Sequence, residues 1–169
     1  MRNVGNIVPT FRVDSNSEGA GIEYAICALG IKDIIVCGHS HCGAMKGLLQ
    51  IGALTEEMPL VYDWLRHHAE ATRRLVLENY RDYDSQKLLE IATEQNVLTQ
   101  IENLETYPVI RSRLHSGQLN MHAWIYEIES GVVFAYNAAI NQFCPIEKAG
   151  FPVPDLLAQV HSEPSSSSS

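Results

Sequence analysis

Seven consecutive residues, Cys37-Gly38-His39-Ser40-His41-Cys42-Gly43, bring two cysteines and two histidines into one short turn. A thiolate and an imidazole close together suit zinc. Residues three apart at the start of a helix share a face, so the spacing predicts that His39 and Cys42 point at one ion. The amides of a helix N-terminus would also favour a charged sulfur at Cys42. A tetrahedral zinc needs at least three protein ligands, and this segment offers two convincing ones, so the others must come from elsewhere. A second chemistry is open to the same residues: Cys42 as a nucleophile activated by His39 or His41. Cys37 ends an apolar run and is expected to pack, with a place as a substitute ligand left open. His41 is expected to be a surface residue or to support the ligands without being one.

The elements that must position this turn follow from periodicity. Ile22, Ala25, Ile26 and Leu29 repeat at three and four, which predicts a helix stopped by Gly30. Lys32 to Cys37 is a short apolar run of the kind expected for a strand buried on both faces of a parallel sheet. Helix, buried strand, tight turn and helix make an α/β pattern, and ligands in such sheets gather at the carboxyl ends of strands, where His39 and Cys42 fall. Pro59 opens a predicted amphipathic helix reaching about Tyr80, with Val61, Trp64, Leu65, His68 and Leu75 turned inward. Asp84 or Ser85 caps the next, which runs to about Leu104. A short helix from Pro108 ends near Gly117. Met121 to Ile128 and Val132 to Tyr136 then flank Glu129-Ser130-Gly131 as a β-hairpin. From Gly150 the prolines and five terminal serines predict a disordered tail over 150–169.

The chain as a whole has 169 residues, 46% hydrophobic and 19% charged, which is the size and balance of one globular domain. A formal net charge of −8 argues against nucleic acid as a partner. No apolar stretch reaches the roughly 18 to 20 residues that span a bilayer and no secretory signal opens the chain, so no membrane association is expected and the cytoplasm is the expected compartment. Thiols stay reduced there, which favours metal or catalysis over bridges for the clustered cysteines. Cys27 and Cys144 are expected to be small buried hydrophobes. His67, His68, His122 and Trp124 are expected to be solvent or packing residues, and Asp14 and Glu18 to lie on a solvated loop.

The run Ile34-Ile35-Val36-Cys37-Gly38-His39-Ser40-His41-Cys42-Gly43-Ala44-Met45-Lys46-Gly47-Leu48-Leu49 resembles the second zinc motif of the β-class carbonic anhydrases. Three further segments are similar to that family's, in its order: Arg2-Asn3-Val4-Gly5-Asn6, Gly21-Ile22-Glu23-Tyr24-Ala25 and His122-Ala123-Trp124-Ile125-Tyr126. The resemblance covers about residues 2 to 145. Leu60-Val61-Tyr62-Asp63-Trp64-Leu65, with Glu70-Ala71-Thr72-Arg73-Arg74-Leu75-Val76-Leu77, looks most like the carboxysomal members in cyanobacteria.

The resemblance implies an α/β fold, a mostly parallel β-sheet flanked by helices, over residues 1–149. It implies zinc as cofactor, held by His39, Cys42, a further cysteine and either water or an aspartate. It places Tyr24 in an apolar substrate cleft near a subunit interface. The family's other cysteine and aspartate, with a gating Asp–Arg pair, belong to a Cys-x-Asp-x-Arg segment on a central strand, and no such segment occurs in these 169 residues. The domain is therefore expected to be truncated at its N-terminus, without the N-terminal helices and one central strand, and to leave sheet edges exposed. The implied reaction is reversible hydration of carbon dioxide to bicarbonate by hydroxide generated on zinc. His41, His67 and His68 have suitable intrinsic acidity to shuttle the proton released. The implied partners are carbon dioxide, bicarbonate, further copies of the chain in a homo-oligomer, and carboxysome shell or assembly proteins. Two ligands do not complete a tetrahedral site, so a catalytically degenerate scaffold or assembly protein of the same fold is the alternative.

Overall fold

A computed structural model describes residues 1–13 and 17–146. The expectations for Asp14 and for the tail over 150–169 lie outside the described residues. Helix α1 (Ser17–Cys27) leads to strand β1 (Asp33–His39) and helix α2 (Gly43–Leu49). Helices α3 (Leu54–Glu57), α4 (Pro59–His68), α5 (Glu70–Asn79), α6 (Ser85–Glu105) and α7 (Pro108–His115) follow. Strands β2 (Asn120–Tyr126), β3 (Val133–Asn137) and β4 (Gln142–Pro145) complete the order.

Local chemistry sets several boundaries. Gly30 adopts φ +65°, and the Ile31 N–H reaches back to the Ala25 carbonyl, closing α1 where the glycine predicted a stop. Asp84 caps α6 by accepting from the Gln86 and Lys87 amides at 2.9 Å each. The helix expected from Pro59 to Tyr80 is instead two. The chain breaks at Ala69, which leaves helical geometry at φ −129° and is fully buried. Neither Pro nor Gly marks the break, so tertiary packing makes it. The break also rotates the inward face: Thr72 and Val76 are buried on α5, whereas Leu75, expected inside, is exposed.

The four strands form one sheet in the order β1-β2-β3-β4. β1 and β2 are parallel, with Val36 beside Ala123 and His39 beside Tyr126. β2–β3 is the expected antiparallel hairpin, and β4, which no sequence signal announced, extends it antiparallel. Helix α6 runs across both halves of the molecule. One core gathers Ile7, Met45, Leu48, Leu65, Val76 and Ala92; the other gathers Ile22, Ile26, Val36, Val97, Tyr107 and Ile110.

β1 was expected to be buried on both faces. It pairs only with β2 among the described residues, so it is an edge strand. Val36 and Gly38 are buried, and Ile35, Cys37 and His39, the alternate set, are exposed. Cys37 therefore does not pack as expected. Cys27 also departs from expectation, exposed on the outer face of α1, and Cys144 is half-buried.

Candidate metal centre

β1 delivers His39 as its last residue, and the chain turns through Ser40 and His41 before α2 begins at Gly43. His41 makes the turn possible by adopting φ +53°, a left-handed conformation uncommon outside glycine. Cys42, with φ −60° and ψ 114°, is the residue before the helix. His39 and Cys42 thus do not share a helix face, as their spacing had suggested. His39 ends a strand and Cys42 precedes a helix, and both line one cleft of about 530 Å3.

Close packing fixes the strand end. A Cβ on Gly38 would lie 2.9 Å from Val97 Cγ2, 3.0 Å from Ile125 Cδ1 and 3.1 Å from Thr93 Cγ2, so glycine lets β1 lie directly on α6. Cys42 is 4% exposed and packs with Met45 and Leu48. His39 is exposed to the cleft, and its Nδ1 lies 2.8 Å from the Ser40 carbonyl oxygen. A carbonyl only accepts, so Nδ1 is the donor here, which leaves Nε2 as the ring nitrogen that a neutral imidazole would offer to a ligand. Such a bond to the second ring nitrogen is how ligating histidines are oriented.

The opposite wall of the cleft is the N-terminal segment. Asn3 stitches a turn by donating Nδ2 to the Ile7 carbonyl and accepting the Ile7 N–H. Gly5 in that turn has φ +78°, and a Cβ there would meet Met45 Cε at 3.2 Å. The turn is then gripped by side chains from afar. Trp64 Nε1 donates to the Val4 carbonyl at 2.9 Å, Asn96 Nδ2 to the Gly5 carbonyl at 2.8 Å, and Tyr107 OH to the Pro9 carbonyl at 2.9 Å. Sequence reasoning missed this set of supports. Asn96 and Gln100, polar residues on the inner face of α6, were its available signal.

Tyr24 is 63% exposed on α1, whose Gly21, Ile22 and Ala25 line the cleft while Tyr24 does not. His41 pairs with Glu129 at 2.9 Å, and His122 with Asp33 at 3.0 Å. His68 meets Trp64 in a tilted ring contact with centres 4.6 Å apart and planes 60° to one another, and His67 is exposed. Among the described residues no group of three His, Cys, Asp or Glu side chains could hold a metal ion. The donors of His39 and Cys42 suit zinc in kind, but two are too few.

The carbonic anhydrase family model matches residues 1–133, most of the chain. The chain belongs to the carbonic anhydrase family. This carbonic anhydrase-family chain is 57% identical over 143 residues to a carbonic anhydrase of Synechocystis sp., covering 85% of this chain and 52% of that one. It is 54% identical over 154 residues to that of Synechococcus elongatus, covering 91% and 56%. Carbonic anhydrase 1 of Escherichia coli O157:H7 matches at 38% over 146 residues, covering 86% and 65%. The chain thus spans about half the length of the two cyanobacterial relatives. Among solved structures, the β-carbonic anhydrase CcaA superposes with a TM-score of 0.83 at 56% identity, over 86% of this chain and 70% of that one. A Coccomyxa β-carbonic anhydrase in complex with acetazolamide gives 0.64 at 27%, over 79% and 58%. The family is therefore the β class, and the helix-flanked sheet is its fold.

Proposed function

We propose that this chain supplies the His39–Cys42 half of a zinc centre that carries out reversible hydration of carbon dioxide to bicarbonate. The observation that carries the reading is the shared cleft. An imidazole with its Nε2 free and a buried thiol meet at the carboxyl end of β1, in a chain 57% identical over 143 residues to a cyanobacterial carbonic anhydrase. His39 Nε2 and Cys42 Sγ would hold the metal, with the remaining donors coming from outside the described residues. When bound, zinc supplies acidified water, whose pKa falls from roughly 16 towards about 7. This chain's residues hold the ligands in orientation and line the cleft with Ile7, Ile22, Ile34 and Val36, an apolar surface suited to an uncharged substrate.

Tyr24, exposed and outside the lining of its own chain's cleft, would border a substrate path where a second chain covers α1, so its role is proposed together with homo-oligomerisation. Relatives in this family include two described as tetrameric in Sordaria macrospora. The cyanobacterial relatives support a cytoplasmic place, with the carboxysome and its shell or assembly proteins as the narrower proposal. Among the described residues no helix is long and apolar enough to cross a membrane.

The lack of a three-donor group among the described residues favours a second reading, a degenerate member kept as a scaffold. Zinc content and carbon dioxide hydration, measured on the whole protein that the gene encodes, separate the two. The enzyme reading expects zinc and activity in that protein. A folded protein without either supports the scaffold.

A further inference from the structure

The turn carrying His39 and Cys42 has two sides. His39 and Cys42 line the larger cleft, whereas Ser40 and His41 line a second, smaller one together with Glu127 and Glu129. Glu129 sits in the β2–β3 connection, 89 residues from Ser40, and both of its carboxylate oxygens reach this turn. Ser40 Oγ donates to Oε2 at 3.0 Å, and His41 Nε2 lies 2.9 Å from Oε1. The Ser40 hydroxyl in turn accepts the Ile128 N–H at 2.9 Å, and the Ser40 N–H donates to the Tyr126 carbonyl at 2.9 Å.

The hairpin does not need Glu129 for its own closure. Gly131 supplies the left-handed residue at φ +71°, its N–H donates to the Glu127 carbonyl, and Ser130 bonds the Glu127 carboxylate. Glu129 instead spends its side chain on the residues between the two ligands. One of them, His41, is held in a conformation that costs free energy and persists only where its surroundings over-determine it. The Glu129 carboxyl is also kept below its usual range, first by its own backbone N–H and then by the Ser40 hydroxyl, so it is ionised at neutral pH and its bonds to the turn are charge-assisted.

We propose that Glu129 is a positioning residue for the metal centre, clamping Ser40 and His41 so that His39 and Cys42 are presented to the cleft in fixed orientation. The proposal rests on the reading of His39 and Cys42 as zinc ligands, but the clamp itself has a readout that needs no metal. Cys42 is only 4% exposed, so its thiol reacts slowly with an alkylating agent while the turn is held and faster when the turn loosens.

The test is the alkylation rate of Cys42 by iodoacetamide, resolved from the other cysteines by peptide mass mapping, in the metal-free chain and its E129A and E129Q variants. Glutamine keeps an acceptor for Ser40 and a polar group for His41. Removing both bonds should raise the rate about tenfold in E129A, whereas E129Q, which can keep the bonds but not their charge, should fall between E129A and the parent, with the urea midpoint of all three unchanged. An unchanged rate in E129A would overturn the clamp. So would a rise matched by an equal loss of global stability, or an E129Q rate equal to that of E129A. A zinc titration of the whole protein that the gene encodes addresses the ligand reading separately: if that protein takes up no zinc, the ligand reading falls while the alkylation result still decides the clamp.

Discussion

Gln100, fully buried on α6, accepts the backbone N–H of Val8 through Oε1 at 2.8 Å, across 92 residues of sequence. Its amide nitrogen donates to Asn96 Oδ1 at 3.0 Å, and Asn103 Nδ2 donates both to Gln100 Oε1 and to the Val8 carbonyl. The N-terminal segment thus has backbone groups satisfied by helix side chains where a sheet neighbour would otherwise satisfy them.

Replacing Gln100 with Ala leaves the Val8 N–H and the Asn96 carbonyl oxygen without this partner in a buried place. The expected loss is about 2 to 3 kcal/mol, read as a lower urea midpoint, because a buried polar group stripped of its partner carries its full desolvation cost. A loss below about 0.5 kcal/mol would show that the segment is held by packing alone.

Much of the frame was legible because its causes are local. Gly30 ends α1 through its left-handed backbone and Asp84 starts α6 by accepting from amides two and three residues on, and Ile34-Ile35-Val36 forms a strand whose only fault as an expectation was its second buried face. The hairpin around Gly131 was equally readable. The break at Ala69 was not, since alanine carries no local instruction to stop a helix. Cys27 and Cys37 looked apolar by neighbourhood, but their faces are set by which partner covers α1 and β1. At the candidate site, residue type singled out His39 and Cys42, and the structure sets one at a strand end and the other at a helix cap, both lining one cleft. Glu129 stayed hidden because its meaning depends on Ser40, which folding brings from 89 residues away.

Gly38→Ala should be disproportionately costly for so small a change. The added methyl meets Val97, Ile125 and Thr93 at 2.9 to 3.1 Å, all β-branched side chains with little freedom to turn aside. Overpacking of this kind typically costs about 1 to 3 kcal/mol, and chemical denaturation would show it. A neutral substitution would mean that β1 shifts freely on α6.

Asp33 gives a pH signature. His122 Nε2 donates to its Oδ1 at 3.0 Å and Asn120 Nδ2 at 3.1 Å, and these bonds, the one from His122 foremost, hold the carboxyl below its usual range. A lowered folded-state pKa stabilises the fold above the ordinary carboxylate value, and that contribution is lost as pH falls through the lowered one. The difference in urea midpoint between the parent and Asp33→Asn should therefore be present at about pH 6 and shrink towards about pH 3. A difference independent of pH would show that the ionised carboxylate contributes nothing.

Metal content of the full-length gene product reports most directly on the claim that His39 and Cys42 are ligands. Purified protein, H39A and C42S should be compared by zinc analysis alongside far-ultraviolet circular dichroism. The prediction is about one zinc per chain in the parent and loss of most of it in each variant with helicity kept, because removing one ligand from a four-coordinate site abolishes most of its affinity. Full zinc retention in both folded variants would contradict the assignment.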